Sequence, residues 1–142
     1  MGPRVYTVEE ANRLVTQLEE NFHSLDALRE RMRGVKFKMN ALEMIWGEGV
    51  NAADNPDRRE YQHYVEELKS LGEDFERLVG KFENLGAVLK GLDQGLIDFY
   101  GVKDGRLVFL CWQRGEAEIG HWHHIDEGFA GRHPLDAPVE EA

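Results

Sequence analysis

Four of the chain's six histidines fall within GHWHHIDEGFAGRH, from Gly120 to His133. If this stretch begins as a strand, His121 and His123 point to one face, a chelating arrangement, and Glu116, Glu118 or Asp126 can add oxygen ligands. Glu116, His123 and Asp126 make one histidine with two carboxylates, a set suited to a hard or borderline divalent metal with open positions. The competing reading is structural: His123 bonds a carboxylate, fastens a turn and holds no metal, and this reading is preferred.

Acid–base chemistry is the next possibility. A histidine three residues before an aspartate resembles a base and its orienter, and Arg132 can clamp an anion with two N–H groups. A nucleophile is lacking. Cys111 sits inside the apolar run VFLCW, where a thiol is buried and inert, and Ser24 and Ser70 lie on helical segments. The structural counterpart pairs Arg132 with Asp126 or Glu116 to lock the loop. In that lock Gly128 and Gly131 supply backbone angles closed to other residues, and Phe129 is an anchor into the core. GFAGRH also has the glycines and arginine of an anion loop, but lacks the lysine and the strand–loop–helix setting of a nucleotide site.

Three elements must position this block. TVEE is a capping box, with Thr7 and Glu10 as its two members. Apolar residues then recur every seventh position at Ala11, Leu18, Leu25, Met32, Met39 and Trp46. A second row runs through Leu14, Leu28, Val35 and Leu42, with Asn21 its polar member. The pattern predicts a helix over 7–46, roughly 60 Å long at about 1.5 Å per residue, with Gly34 a candidate bend. GEGVNAADNP breaks it. A second seam follows, Tyr61, Tyr64, Leu68, Leu71, Phe75, Leu78, Phe82 and Leu85, predicting a helix over 56–85. Two such helices make an antiparallel, coiled-coil-like hairpin. The second is shorter, so the first turns of the first need another partner, either the C-terminal part of the chain or a second subunit.

Beyond 87 the period changes to that of strands. Asp104-Gly105 is a hairpin turn between Leu96–Tyr100 and Arg106–Trp112, and VLK and AEIGHWH are further strand candidates. Leu107 to Trp112 is apolar on both faces, so the sheet should be covered on both sides. The expected fold is α+β: the long two-helix hairpin, then a small, mostly antiparallel sheet over 87–133. The chain reads as one domain over 1–135 with a frayed tail over 136–142.

The 142 residues carry 17 Lys and Arg against 27 Asp and Glu, a formal net charge of −10. That surplus disfavours nucleic acid and anionic membranes as partners, since both need a positive field. One cysteine excludes an intrachain disulfide and fits a reducing cytosol. No stretch is long and apolar enough for a membrane span.

From Cys111 to Arg132 the chain reads CWxxGExxIxxWHxxDxGFxGR. With YTVEEANRLV and LKGLDQGLIDF, this block resembles a family of prokaryotic proteins catalogued as a domain of unknown function. The resemblance covers most of the chain and carries over Gly115, Glu116, Trp122, His123, Asp126, Gly128, Phe129, Gly131 and Arg132. His121, His124 and His133 fall at positions the family pattern leaves open. It implies a location for the site and no reaction.

The functional expectation is therefore a cytosolic, non-enzymatic interaction, scaffold or oligomerising protein. It needs no cofactor, forms a homodimer and offers a protein-binding surface at the hairpin. The alternative is a small metal-dependent or acid–base enzyme of hydrolase type using Glu116, His123, Asp126 and Arg132, with Glu116, His121, His123 and Asp126 as the metal-ligand candidates.

Overall fold

A computed structural model describes residues 4–139. The fold is α+β: a short first strand, then the helices, then the remaining strands of a mixed sheet. The chain divides into two compact units. One combines the residues up to Phe22 with those from Val79 onward, and the other runs from His23 to Leu78.

The helical part begins with α1 (Val8–Asn12), opened by the full capping box. Thr7 Oγ1 accepts the Glu10 N–H at 3.1 Å, and Glu10 Oε1 accepts the Thr7 N–H at 3.0 Å. Each bond satisfies a backbone donor that the helix start leaves without a partner, and the bond from the Thr7 N–H is the main reason the Glu10 carboxyl sits below its ordinary pKa. Thr7→Ala is expected to cost about 1 kcal/mol. Denaturant unfolding checks this, and an unchanged midpoint would show that the cap contributes nothing.

The span expected as one helix over 7–46 forms α1 and α2 (Val15–Trp46). Between them the ladder tightens to an i→i+3 bond from Leu14 N–H to the Ala11 carbonyl. The break coincides with Asn12, whose Oδ1 accepts the Ile119 N–H at 2.7 Å. α2 then runs unbroken through Gly34, the position marked for a bend. Ala11, Val15, Leu18 and Phe22 are buried. Their partner is the C-terminal part of the same chain. Besides the Asn12 bond, Glu19 Oε1 accepts the Gly115 N–H, and the Phe22 ring lies 6.2 Å from Trp112 and 4.8 Å from Phe82.

In the other unit, α2 passes into a 3-10 turn over Gly47–Asn51, and α3 (Arg58–Asn84) follows. Asn55 organises the connection: its Nδ2 donates to the Gly49 carbonyl and its Oδ1 accepts the Asp57 N–H. Trp46 Nε1 donates to Asp57, and the Tyr61 hydroxyl donates to Glu43. Val35 and Leu71 are buried here, whereas Phe37, Met44 and Ile45 are 75%, 87% and 68% exposed.

The sheet contains β1 (Val5–Tyr6), β2 (Val88–Gly91), β3 (Leu96–Lys103), β4 (Arg106–Gln113), β5 (His121–His123) and β6 (His133–Pro134). Its order is β1-β3-β4-β5-β6, with β2 also on β3. β1 pairs parallel with β3, and the other four pairings are antiparallel. β3 and β4 join through Asp104 and Gly105 at φ 52 and 77°, the two positive angles that a two-residue hairpin turn needs. AEIGHWH contributes a shorter strand than its pattern suggests, confined to His121–His123.

Side chains alternate across this sheet. Ile97, Phe99, Val108, Leu110, Trp112 and Trp122 share one face by register and are buried. It is the face that meets Phe22 through Trp112. Asp98, Tyr100, Phe109, Cys111, His121 and His123 share the other. β4 is indeed covered on both sides from Val108 to Trp112, while Leu107 is half exposed. The tail assigned to fraying is bonded up to Val139: Trp122 Nε1 donates to the Ala137 carbonyl, and the Val139 N–H donates to Asp104. Residues 140–142 of that tail lie outside the described residues.

Candidate functional site

The face of the sheet away from Trp112 carries the polar chemistry. Asp98 on β3 lies directly opposite Cys111 on β4, and His123 on β5 lies opposite Phe109, two residues from Cys111 on the same side. Register alone therefore brings Asp98, Cys111 and His123 together. Their ligand-capable atoms all lie within 4.8 Å of one another. Asp98 and His123 are the two buried polar residues of the described core, at 3% and 2% exposure.

His123 is held at both ring nitrogens. Nδ1 lies 2.8 Å from the His124 carbonyl, and Nε2 lies 2.9 Å from Asp98 Oδ2. A carbonyl only accepts, so Nδ1 carries a proton. The Nε2–Oδ2 contact is then bridged by one more proton, shared between two groups that would otherwise both present lone pairs. Burial pushes the Asp98 carboxyl above its ordinary range, while bonds from His123 and Cys111 pull the other way. Burial, reinforced by the neighbouring Asp98 charge, lifts the Cys111 thiol to about 12. Cys111 is thus a protonated thiol at neutral pH, not a standing nucleophile.

The sequence block organises itself around a different carboxylate. Arg132 Nη2 lies 3.0 and 3.2 Å from the two Glu116 oxygens and 3.5 Å from the Cys111 carbonyl. Glu116 Oε1 also accepts the Gln113 N–H at 2.7 Å, and its carbonyl accepts the Trp112 indole N–H at 2.9 Å. His121 Nδ1 is 3.8 Å from Glu116 Oε2. A cation at Glu116 would compete with this guanidinium for the same oxygens. Among the described residues, His121 Nδ1 and Arg132 Nε are buried polar atoms without a hydrogen-bond partner.

The residues singled out in the sequence are therefore divided. Glu116, Arg132 and His121 form one group, and His123 belongs to another with Asp98 and Cys111. Asp126 is exposed, and the metal-capable groupings among the described residues do not include it. His124 and His133 do come together with Glu127, whose carboxylate accepts the His124 N–H at 3.1 Å. That backbone bond is the main reason the Glu127 carboxyl sits below its ordinary pKa.

Two details of the loop differ from the expected lock. Gly128 has φ −102°, extended backbone open to any residue, and Gly131 has no positive φ either. A Cβ at Gly131 would meet the Glu127 carboxylate at 2.7 Å, so close approach is what its glycine permits. Phe129 is 39% exposed under the Arg132 guanidinium, which lies 4.7 Å from its ring centre. It is a stacking platform at the surface, not a core anchor. Phe129, Gly128 and Glu127 enclose, with Lys90, Leu96, Asp98, Cys111 and His123, a cavity of about 250 Å³.

Asp98 was absent from the sequence-level candidates. Its signal was indirect: a carboxylate inside the apolar run LIDFY, beside a strand expected to be covered on both faces.

An α+β chain with a polar cluster on its second sheet face is the class the geometry defines. Over residues 4–135 it matches the family described as "Uncharacterized conserved protein (DUF2203)", and the chain belongs to that family. The searches of curated proteins and of solved structures returned no match. Among the described residues, no helix is long and apolar enough to cross a membrane.

Proposed function

We propose that this protein is a cytosolic, non-enzymatic interaction domain that acts by pairing with a second copy of itself. The observation that supports this reading is the outer stripe of α2. Phe37, Ala41, Met44 and Ile45 recur at helical spacing, and all four are exposed. In this reading the two heptad seams close on each other as an antiparallel coiled-coil hairpin, and the stripe on α2 faces away from them.

Charge favours a second copy as the occupant. The stripe is flanked by Arg33, Lys36 and Lys38 toward its start and by Glu43 and Glu48 toward its end. An identical helix laid across it in the opposite direction sets Phe37 beside Met44, and the basic end of each copy beside the acidic end of the other. Such a two-fold pairing is self-complementary. The Glu116–Arg132 pair then serves to hold the loop. An acid–base or metal-dependent enzyme using Glu116, His123, Asp126 and Arg132 has less support, because Glu116 is engaged by Arg132 and Asp126 is exposed on its own turn.

Sedimentation velocity of wild type and Phe37→Glu tests the reading. Each substitution appears twice in a symmetric interface. At about 1.5–3 kcal/mol per buried apolar side chain, dimer affinity should fall by roughly a hundredfold or more. A wild-type dimer that becomes a folded monomer is the expected result. A wild type that stays monomeric at tens of micromolar (a concentration set by the dimer affinities at issue), or a variant that remains dimeric, overturns it.

A further inference from the structure

We propose that Asp98, Cys111 and His123 form a binding site for one divalent cation of the zinc class, with an open coordination position facing the cavity beneath Phe129. This set shares only His123 with the ligands suggested by the sequence block, and it is independent of how the chain pairs.

Ligand chemistry is the first support. One sulfur, one imidazole nitrogen and one carboxylate oxygen suit zinc and its neighbours, whereas calcium and magnesium want oxygen alone. Zinc–ligand bonds of about 2.0–2.3 Å place the atoms of a tetrahedral centre roughly 3.3–3.7 Å apart. The three atoms here already lie within 4.8 Å of one another, with His123 Nε2 and Asp98 Oδ2 at 2.9 Å. That pair need only part by several tenths of an ångström. Asp98 and Cys111 face each other across β3 and β4, so the sheet itself fixes their spacing.

Orientation is the second support. His123 Nδ1–H donates to the His124 carbonyl, leaving Nε2 aimed at the other two groups. Metal-binding histidines are held in this way, by a backbone acceptor on the opposite ring nitrogen.

Proton count is the third. The cluster holds two exchangeable protons, the one that a thiol of ordinary pKa, about 8.5, carries at neutral pH and one in the His123–Asp98 bridge. Thiolate, carboxylate and neutral imidazole together carry two negative charges. A dication entering the cluster forms bonds to sulfur, oxygen and nitrogen and expels those two protons to solvent, so the net charge of the buried site is unchanged. The large desolvation cost of an unbalanced buried charge is thereby avoided. Three protein ligands leave a fourth position, and the cavity of about 250 Å³ supplies room there for water or a small ligand group.

The experiment strips the full chain with a chelator, then titrates it with cobalt(II) as a spectroscopic stand-in and with zinc. One equivalent should bind with a sulfur-to-cobalt charge-transfer band in the near ultraviolet. About two protons should be released per metal at neutral pH, read from the dependence of binding heat on buffer ionisation. Cys111→Ala should abolish the band, and Asp98→Asn should weaken binding more than about tenfold. His133→Ala, in the outer cluster with His124 and Glu127, should leave both unchanged. If Cys111→Ala fails to fold, the wild-type band and proton count decide on their own. Folded wild type that shows no saturable band overturns the proposal. So does binding that survives Cys111→Ala and disappears in His133→Ala, which would place the metal on the outer cluster.

Discussion

Trp112→Ala should lower stability by about 3–5 kcal/mol, a large share of the roughly 5–15 kcal/mol that holds a typical domain folded. Trp112 is fully buried on the helix-facing side of β4, with its ring 6.2 Å from Phe22 and its partner Ile97 also fully buried. Its indole N–H also donates to the Glu116 carbonyl at 2.9 Å. Truncation therefore opens a large cavity and leaves a carbonyl of the Glu116 turn without its donor. Equilibrium unfolding followed by near-ultraviolet circular dichroism measures the loss. Trp46→Ala is the contrast, because Trp46 is 39% exposed and should cost much less. Equal costs for the two would mean that the sheet core is looser than its burial implies.

The second large effect comes from Asp98. Asp98→Ala leaves His123 Nε2 and the Cys111 thiol facing a void, at a cost of about 3 kcal/mol. Asp98→Asn should cost less, since its amide can still bond Nε2. pH separates these effects. Burial raises the folded-state pKa of Asp98 above its ordinary value of 3.8. The contribution from this group is therefore fully present below 3.8 and is lost as pH rises through the higher folded-state value. Asp98→Asn removes that term, so wild-type stability should decline relative to the variant as pH climbs above 3.8. A difference that stays constant with pH, or grows in the wild type's favour, would show that the carboxyl is not held in its protonated form by burial.

The helices were legible because their physics is local. A heptad from Ala11 to Trp46 and a three–four alternation from Tyr61 to Leu85 mark one face of a helix at any position in a chain. Asp104-Gly105 was legible for the same reason, since positive φ is a property of the turn itself. The pairing of Glu116 with Arg132 could be named because both belong to one short block. Asp98 could not be found in this way. Inside LIDFY it reads as the polar, solvent-facing member of an alternating strand, and its burial comes from the loop that returns over the second sheet face. Its partner His123 is 25 positions away. The nearer Asp126 attracted attention by spacing, yet a separation of three makes neighbours on a helix, and this segment is a turn. β1 is two residues long and carries no periodicity at all. Its pairing with Tyr100 and Gly101 is a matter of topology.

That short first strand also imposes an order on synthesis. When Val5 and Tyr6 leave the ribosome, their partner strand and the Leu85 carbonyl, 79 positions beyond Tyr6, do not yet exist. At about 5–20 residues per second, the leading segment waits several seconds with its edge uncovered. The helices can form in that interval, and the β3–β4 hairpin can close as soon as it emerges. The edge of β3 beside β2 is therefore completed by residues made well before β3 itself.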